Sequence, residues 1–292
     1  VWGVKSTGLV LARANWDGHV EYYTWNVAIQ TDTPLLIVVD PDYTNNILLY
    51  AGGMSFTDKN LPQNKYFRDE LNVGCPDFMP ADVMGISMRG DEIFTLHTEH
   101  REAFLNRYFL DGKLIGSSRC TFNDGDYNYS IPDITVNEMQ WCNGCFYLAS
   151  HQMVVRISEY GDATVVGYAQ GLVQKIAINK GKDGLTTLLA YTYGDRIIFM
   201  NIYQKINQAI TYEVKEIIAV DVKALPDNRF VVADNHKVMV YDLSDCEHPP
   251  EIYWQVETEN EVVGVFQGPN RNQIGILEAN GQITLHNIEE LT

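Results

Sequence analysis

An all-β fold assembled from one repeated four-stranded unit is what this sequence predicts, on three observations. A periodic mark, an apolar or long side chain followed by Asn, Asp or Ser, recurs at Trp25-Asn26, Arg68-Asp69, Leu110-Asp111, Ile157-Ser158, Met200-Asn201, Tyr241-Asp242 and His286-Asn287. The first members stand 43, 42, 47, 43, 41 and 45 residues apart, and a four-stranded propeller blade is the supersecondary unit of that length. A short apolar run precedes each mark: 1–4, 35–38, 83–86, 136–139, 173–176, 217–220 and 262–265. Each is expected to be the innermost strand of its unit, so both signals give seven copies. The third observation is Arg229 to Leu243, two β-rich runs around the polar turn Asp234-Asn235-His236, which reads as a hairpin.

The first unit is expected over 1–33, with strands near 1–6, 8–14, 18–26 and 27–33 and Asp17-Gly18 as a two-residue hairpin turn. The second, 35–80, takes its second strand from 46–51 and carries an insertion at 58–65. The third, 81–122, places Glu99, His100, Arg101 and Glu102 at a strand turn. The fourth, 134–170, contains Cys142-Asn143-Gly144-Cys145 between β-rich runs. The fifth, 172–213, turns at Tyr193-Gly194-Asp195, and the sixth, 216–258, ends one strand at Pro249-Pro250. The seventh, 261–292, turns at Asn280-Gly281 and shows three strands, its fourth not being visible in the sequence. Residues flanking 1–292, an irregularly closed ring or a strand donated by another chain would each account for this, and because an unpaired strand edge is an interaction site, a chain that completes this last unit is among the expected partners.

Here the chain resembles the WD-repeat β-propeller family, whose blades end their third strand in Trp-Asp, a pair matched by Tyr241-Asp242 and, more loosely, by the other marks. The resemblance extends over residues 1–292 and implies one seven-bladed propeller domain of four-stranded antiparallel blades. The family's Gly-His pair before the first strand has no counterpart; Gly18-His19 falls in a hairpin turn. In this family the top face is built from the turns between second and third strands and from the links between blades. Carried over by position, it presents Trp16, Asp17, His19, Glu99, Arg101, His151, Tyr193, Asp195, Asn235, His236 and Asn280 as candidate partner-binding residues. Trp16 and Tyr193 are the expected aromatic anchors, and capping of their own turns is the competing role.

Composition limits the chemistry. With 46% apolar residues in 292, the chain can bury a large core. Five cysteines without regular pairing argue against a disulfide-stapled secreted domain and for a reducing compartment, cytoplasmic or nuclear. No apolar run reaches the roughly 20 residues that span a bilayer, so membrane insertion is not expected. The net charge is −17, from 38 acids and 21 bases, which disfavours direct duplex binding, because phosphate neutralisation supplies most non-specific affinity. An acidic domain suits a basic protein segment instead, although solubility alone also accounts for the charge.

Candidate chemical sites are weak. The Cys142/Cys145 pair has the spacing of a redox pair or half a zinc site, but Asn143-Gly144 between β-runs makes a hairpin rather than the helix N-terminus that activates a thiol. Asp124, Asp126 and Asn128 alternate as the first ligands of a calcium loop would, without the glycine and the closing glutamate such a loop needs. His19, His151 and His236 fall in or beside turns, which permits a metal or acid–base cluster on one face. Lys5, Asn137, Glu138, Lys175, Asp221 and Lys223 are the expected polar residues of the innermost strands, and mixed charge there competes with a cation. The sequence has no nucleophile elbow and no phosphate-binding glycine loop. The expectation is a scaffold without cofactor or catalysis inside a larger assembly; the alternative is a metal-assisted enzyme or small-ligand binder at the channel mouth.

Overall fold

The computed structural model describes residues 2–5, 10–14, 20–24, 35–39, 47–51, 64–68, 72–74, 83–89, 92–99, 102–109, 113–122, 134–203, 208–245 and 248–288. All regular elements among them are β-strands. The chain forms two compact units, Val1–Trp141 with Ile157–Thr164, and Cys142–Arg156 with Val165–Thr292.

In the first unit, successive strands pair antiparallel with their sequence neighbours. Trp2–Lys5, Val10–Ala14 and Val20–Thr24 make a three-stranded meander. Leu35–Val39, Ile47–Ala51, Asn64–Arg68 and Asn72–Gly74 make a four-stranded one. Val83–Arg89, Glu92–Glu99, Glu102–Phe109 and Leu114–Arg119 follow in the same order. The first strand of the next repeat, Ile134–Cys142, meets Val83–Arg89 in parallel, with Glu138 opposite Ile86. Parallel contact between first strands of consecutive meanders is what a radial array of identical sheets produces. The expected strand 27–33 and most of the insertion at 58–65 lie outside the described residues.

The second unit holds two complete meanders. One is Lys175–Lys180, Thr186–Tyr193, Arg196–Tyr203 and Gln208–Lys215; the other is Asp221–Leu225, Arg229–Asp234, Lys237–Asp242 and Glu251–Glu257. A three-stranded sheet follows, Val262–Gln267, Gln273–Glu278 and Ile283–Asn287. The middle strands are covered on both faces, so they read in sequence as nearly continuous apolar runs rather than as alternation. Ile197 and Phe199 pack with Ile217, Phe230, Met239 and Tyr241 in one core. Val238 and Val240, on the opposite face of the Met239 strand, pack with Val262, Val265, Ile274 and Ile276 in the next. Each such fully buried side chain contributes roughly 1.5–3 kcal/mol.

Hydrogen bonds tie corresponding places of neighbouring sheets together. The Asn143 side-chain amide donates to Thr186 O and Thr187 Oγ1, 43 and 44 residues on, each at 3.0 Å. Lys182 N donates to Asn228 Oδ1 across 46 residues at 3.0 Å. The Arg229 guanidinium reaches Asn272 Oδ1 across 43 residues, also at 3.0 Å. Val265 N donates to the buried Asp221 carboxylate across 44 residues at 3.0 Å. These separations match the sequence period, so position n of one sheet sits against position n of the next.

The apolar runs of the fifth and sixth repeats are a correction to the sequence reading. Val173–Ile176 and Ile217–Val220 were expected as innermost strands, but those strands begin at Lys175 and Asp221, so half of the first run and all of the second lie in the link before the strand. The link is apolar because it tucks beneath a turn: Val173 N donates to His151 O at 2.8 Å and Ile217 N to Asp195 O at 3.1 Å. The mark Met200-Asn201 likewise falls inside its strand rather than at its end, because Arg196–Tyr203 is eight residues long.

Asp221 joins two sheets through Val265 N and caps its own strand through Val222 N, both at 3.0 Å. Replacing it with alanine removes both contacts, and urea unfolding is expected to show a loss of roughly 1–3 kcal/mol. Lys223→Ala, which removes only an exposed partner 3.6 Å from the same carboxylate, is expected to cost less. Equal stabilities for wild type and Asp221→Ala would overturn the bridging role.

Candidate interaction face

Turns between second and third strands, and links between successive sheets, lie together on one edge of the second unit. The turns are His151-Gln152, Gly194-Asp195 and Asn235-His236, with Ala279 to Gln282 in the last sheet. Gly194 has φ 53° and His151 has φ 51°, the left-handed region that tight hairpin turns require. At the first three turns the turn carbonyls accept from amides of the link or of the residue that follows it. Ala169 N donates to Gln152 O at 2.8 Å, Thr258 N to His236 O at 2.9 Å and Val262 N to Asn235 O at 2.7 Å. Ala279 N, in the last turn, donates to Glu261 O of the link at 2.8 Å. The backbone of this edge is therefore held by the sheets and is not free loop.

Of the residues expected on the face, His151, Asp195, Asn235, His236 and Asn280 are exposed on this edge. Glu99 closes the strand Glu92–Glu99, its side chain outside the described set. Trp16, Asp17, His19 and Arg101 lie outside the described residues. Tyr193 is placed differently from an exposed anchor. Its ring is 8% exposed, at the end of a strand buried throughout, and its hydroxyl donates to Glu213 Oε1 at 3.3 Å. Burial and the neighbouring Glu213 charge push that phenol above its usual pKa. Arg196 also pairs with Glu213 and lies 3.6 Å from Asp195; its guanidinium holds the Glu213 carboxyl below the usual range.

What the sequence reading missed on this edge is the apolar part. Leu172, Ile218 and Val263 are exposed; Ile218 and Val263 belong to runs expected to be strand core, and Leu172 directly precedes one. Leu172, like Ile218, directly neighbours a residue whose amide is tied to a turn, so one of each adjacent pair points inward and the other outward.

The other candidate sites resolve into structural roles. Asn143 and Gly144, with φ 49° and 82°, form the two-residue turn between Ile134–Cys142 and Cys145–Ser150. Burial pushes the Cys142 thiol up to about 11 and that of Cys120 up to about 12, and both sulfurs are free of disulfides. Of the polar residues expected on the innermost strands, Asp221 is buried beside Lys223, while Lys175 is exposed; the side chains of Lys5, Asn137 and Glu138 lie outside the described set. In the first unit Arg89 stacks over Trp141 at 4.4 Å and over Phe94 at 5.0 Å, and pairs with Glu92 at 3.0 Å and Glu159 at 3.2 Å. Burial raises the Glu92 carboxyl, and Arg107 and Arg89 more than offset that, leaving it below its usual range. Among the described residues no group of three or more His, Cys, Asp or Glu could hold a metal ion. No helix there is long and apolar enough to cross a membrane.

Because only the thiolate attacks, native protein treated with iodoacetamide near pH 8 is expected to alkylate the half-buried Cys145 well ahead of Cys142 and Cys120, as mapped by peptide mass spectrometry. Preferential labelling of Cys142 would contradict its burial.

No family model matches the sequence, and no curated protein matches it. Solved structures do. A chain of the mitotic checkpoint complex superposes with a TM-score of 0.63 at 10% identity, covering 99% of this chain and 84% of that one. A functionally unknown protein from Desulfotomaculum acetoxidans gives 0.63 at 11% identity, covering 98% and 92%. A Bacteroides fragilis protein described as a candidate 6-phosphogluconolactonase gives 0.58 at 12% identity, covering 99% and 94%. At these identities the likeness shows the fold alone, and that fold is an all-β, β-propeller-like array of antiparallel sheets.

Proposed function

We propose that the chain is a seven-bladed, WD-repeat-like propeller acting as a non-catalytic scaffold in an intracellular multiprotein assembly, and that it takes its partners on the edge of turns and links. The supporting observation is that this edge is fixed by backbone hydrogen bonds while presenting exposed Asp195, Asn235 and His236, beside His151. A rigid display of polar and apolar side chains suits protein recognition, since little order has to be imposed on binding. The protein in the mitotic checkpoint complex, with the same fold, works within an assembly by its printed name. Partners in this reading are other protein subunits, including a basic segment or a strand that completes the last sheet; duplex nucleic acid and the membrane interior are not among them. The alternative, a metal-assisted enzyme or small-ligand binder at the channel mouth, draws on the likeness to the candidate lactonase.

The test is a pull-down from native extract, quantified by mass spectrometry, comparing wild type with Asp195→Ala/Asn235→Ala/His236→Ala. A stoichiometric protein partner is expected, reduced about tenfold or more by the triple variant if the turns hold binding hot spots, with nearly unchanged melting temperature. Absence of any protein partner, together with thermal stabilisation by a divalent cation or a sugar lactone, would replace this reading with the alternative.

A further inference from the structure

We propose that the link edge of the second unit is a docking strip for an extended segment of a partner protein that alternates apolar side chains with lysine or arginine. The inference rests on the scaffold reading and names the chemistry of its partner. In two links, and at the start of the strand that follows the third, an inward anchor stands next to an outward apolar residue. Val173 is 1% exposed and Leu172 51%; Ile217 is 8% exposed and Ile218 59%; Val262 is 4% exposed and Val263 56%. One exposed aliphatic side chain is ordinary on any protein. Three of them, at related places where successive sheets join and on backbone tied to the turns, form an apolar strip that the cores beneath do not need, because the anchors already fill them.

Charge selects the occupant. The links 169–174, 216–220 and 258–261 contain Glu216, Glu259 and Glu261, all exposed, and no lysine or arginine. Of the bases around these links, Arg196 pairs with Glu213 and Asp195, Lys215 lies 3.9 Å from Glu213, and Lys175 stands exposed just after the first link, while Glu216, Glu259 and Glu261 enter no ion pair among the described residues. An apolar strip edged by uncompensated carboxylates fits a segment carrying both aliphatic and cationic side chains. A second copy of this chain, itself at net charge −17, is repelled from it, and so is a nucleic acid.

The probes are two labelled synthetic peptides, one alternating leucine with lysine and one alternating leucine with glutamate, read by fluorescence anisotropy. They are titrated with wild type, with Leu172→Ser/Ile218→Ser/Val263→Ser, and with Glu216→Gln/Glu259→Gln/Glu261→Gln. The expected result is saturable binding of the lysine peptide alone, weakened by added salt and roughly tenfold or more in each variant. No saturable binding, equal binding to the serine variant, equal binding of the glutamate peptide, or self-association of wild type that the serine variant abolishes would each overturn the proposal. If the serine variant melts early, the glutamine variant, which alters only exposed carboxylates, carries the comparison. The native pull-down repeated with the serine variant separates the two readings. A partner lost with the turn variant but retained with the serine variant leaves the scaffold standing and removes the strip.

Discussion

Hydrogen bonds between corresponding positions of neighbouring sheets are the constraint on which the rest of the second unit depends. A sheet of this size has two apolar faces and cannot bury either alone, so each must find a neighbour. Apolar packing by itself tolerates sliding, whereas a buried donor and acceptor do not. The contacts from Asn143 to Thr186 and Thr187, from Lys182 to Asn228, from Arg229 to Asn272 and from Val265 to Asp221 each span one repeat. They fix the phase in which consecutive sheets stack, and the cores of Phe199 against Phe230 and of Val238 against Ile274 then fill in register.

The same phase brings the turns and links to one edge. Once a link must leave the outer strand of one sheet and reach the inner strand of the next, its backbone passes over the turn of the sheet it leaves, and its amides find that turn's carbonyls. A buried anchor beside an exposed aliphatic neighbour follows from this path: the backbone is pinned, and side chains on either side of it alternate between core and solvent. The candidate interaction face is thus a by-product of how the sheets are joined, and its rigidity comes from hydrogen bonds the fold makes for its own reasons.

Polar groups inside this architecture serve the joints rather than chemistry. Arg229, 4% exposed, is satisfied by Pro226 O, Asn272 and Asp227 and stacks on Tyr253 at 5.1 Å. Asp221 bonds backbone amides of two strands. Cys142 is held as a buried thiol beside a hairpin turn, with Thr187 Oγ1 at 4.0 Å. In each case a side chain whose type suggests catalysis or metal binding spends its hydrogen-bonding capacity on holding sheets together.

The sequence alone determined the all-β character, the repeat length and most of the turns. The reason is that turn chemistry and strand patterning are local: Asn143-Gly144 needs two positive φ angles, and Arg229–Asp234 against Lys237–Asp242 declares a hairpin within fifteen residues. It also located His151, Asp195, Asn235 and His236 on a common edge, because equal repeats place equal positions alike. Only the tertiary structure decided what an apolar run is for. Val173–Ile176 and Ile217–Val220 look like strands, yet half of the first and all of the second is link, since burial beneath a turn demands the same residues as burial within a sheet. It alone decided that Tyr193 is buried at the end of its strand, and that Leu172, Ile218 and Val263 face solvent. Direction inward or outward depends on which amide a distant turn carbonyl captures, and no local pattern carries that information.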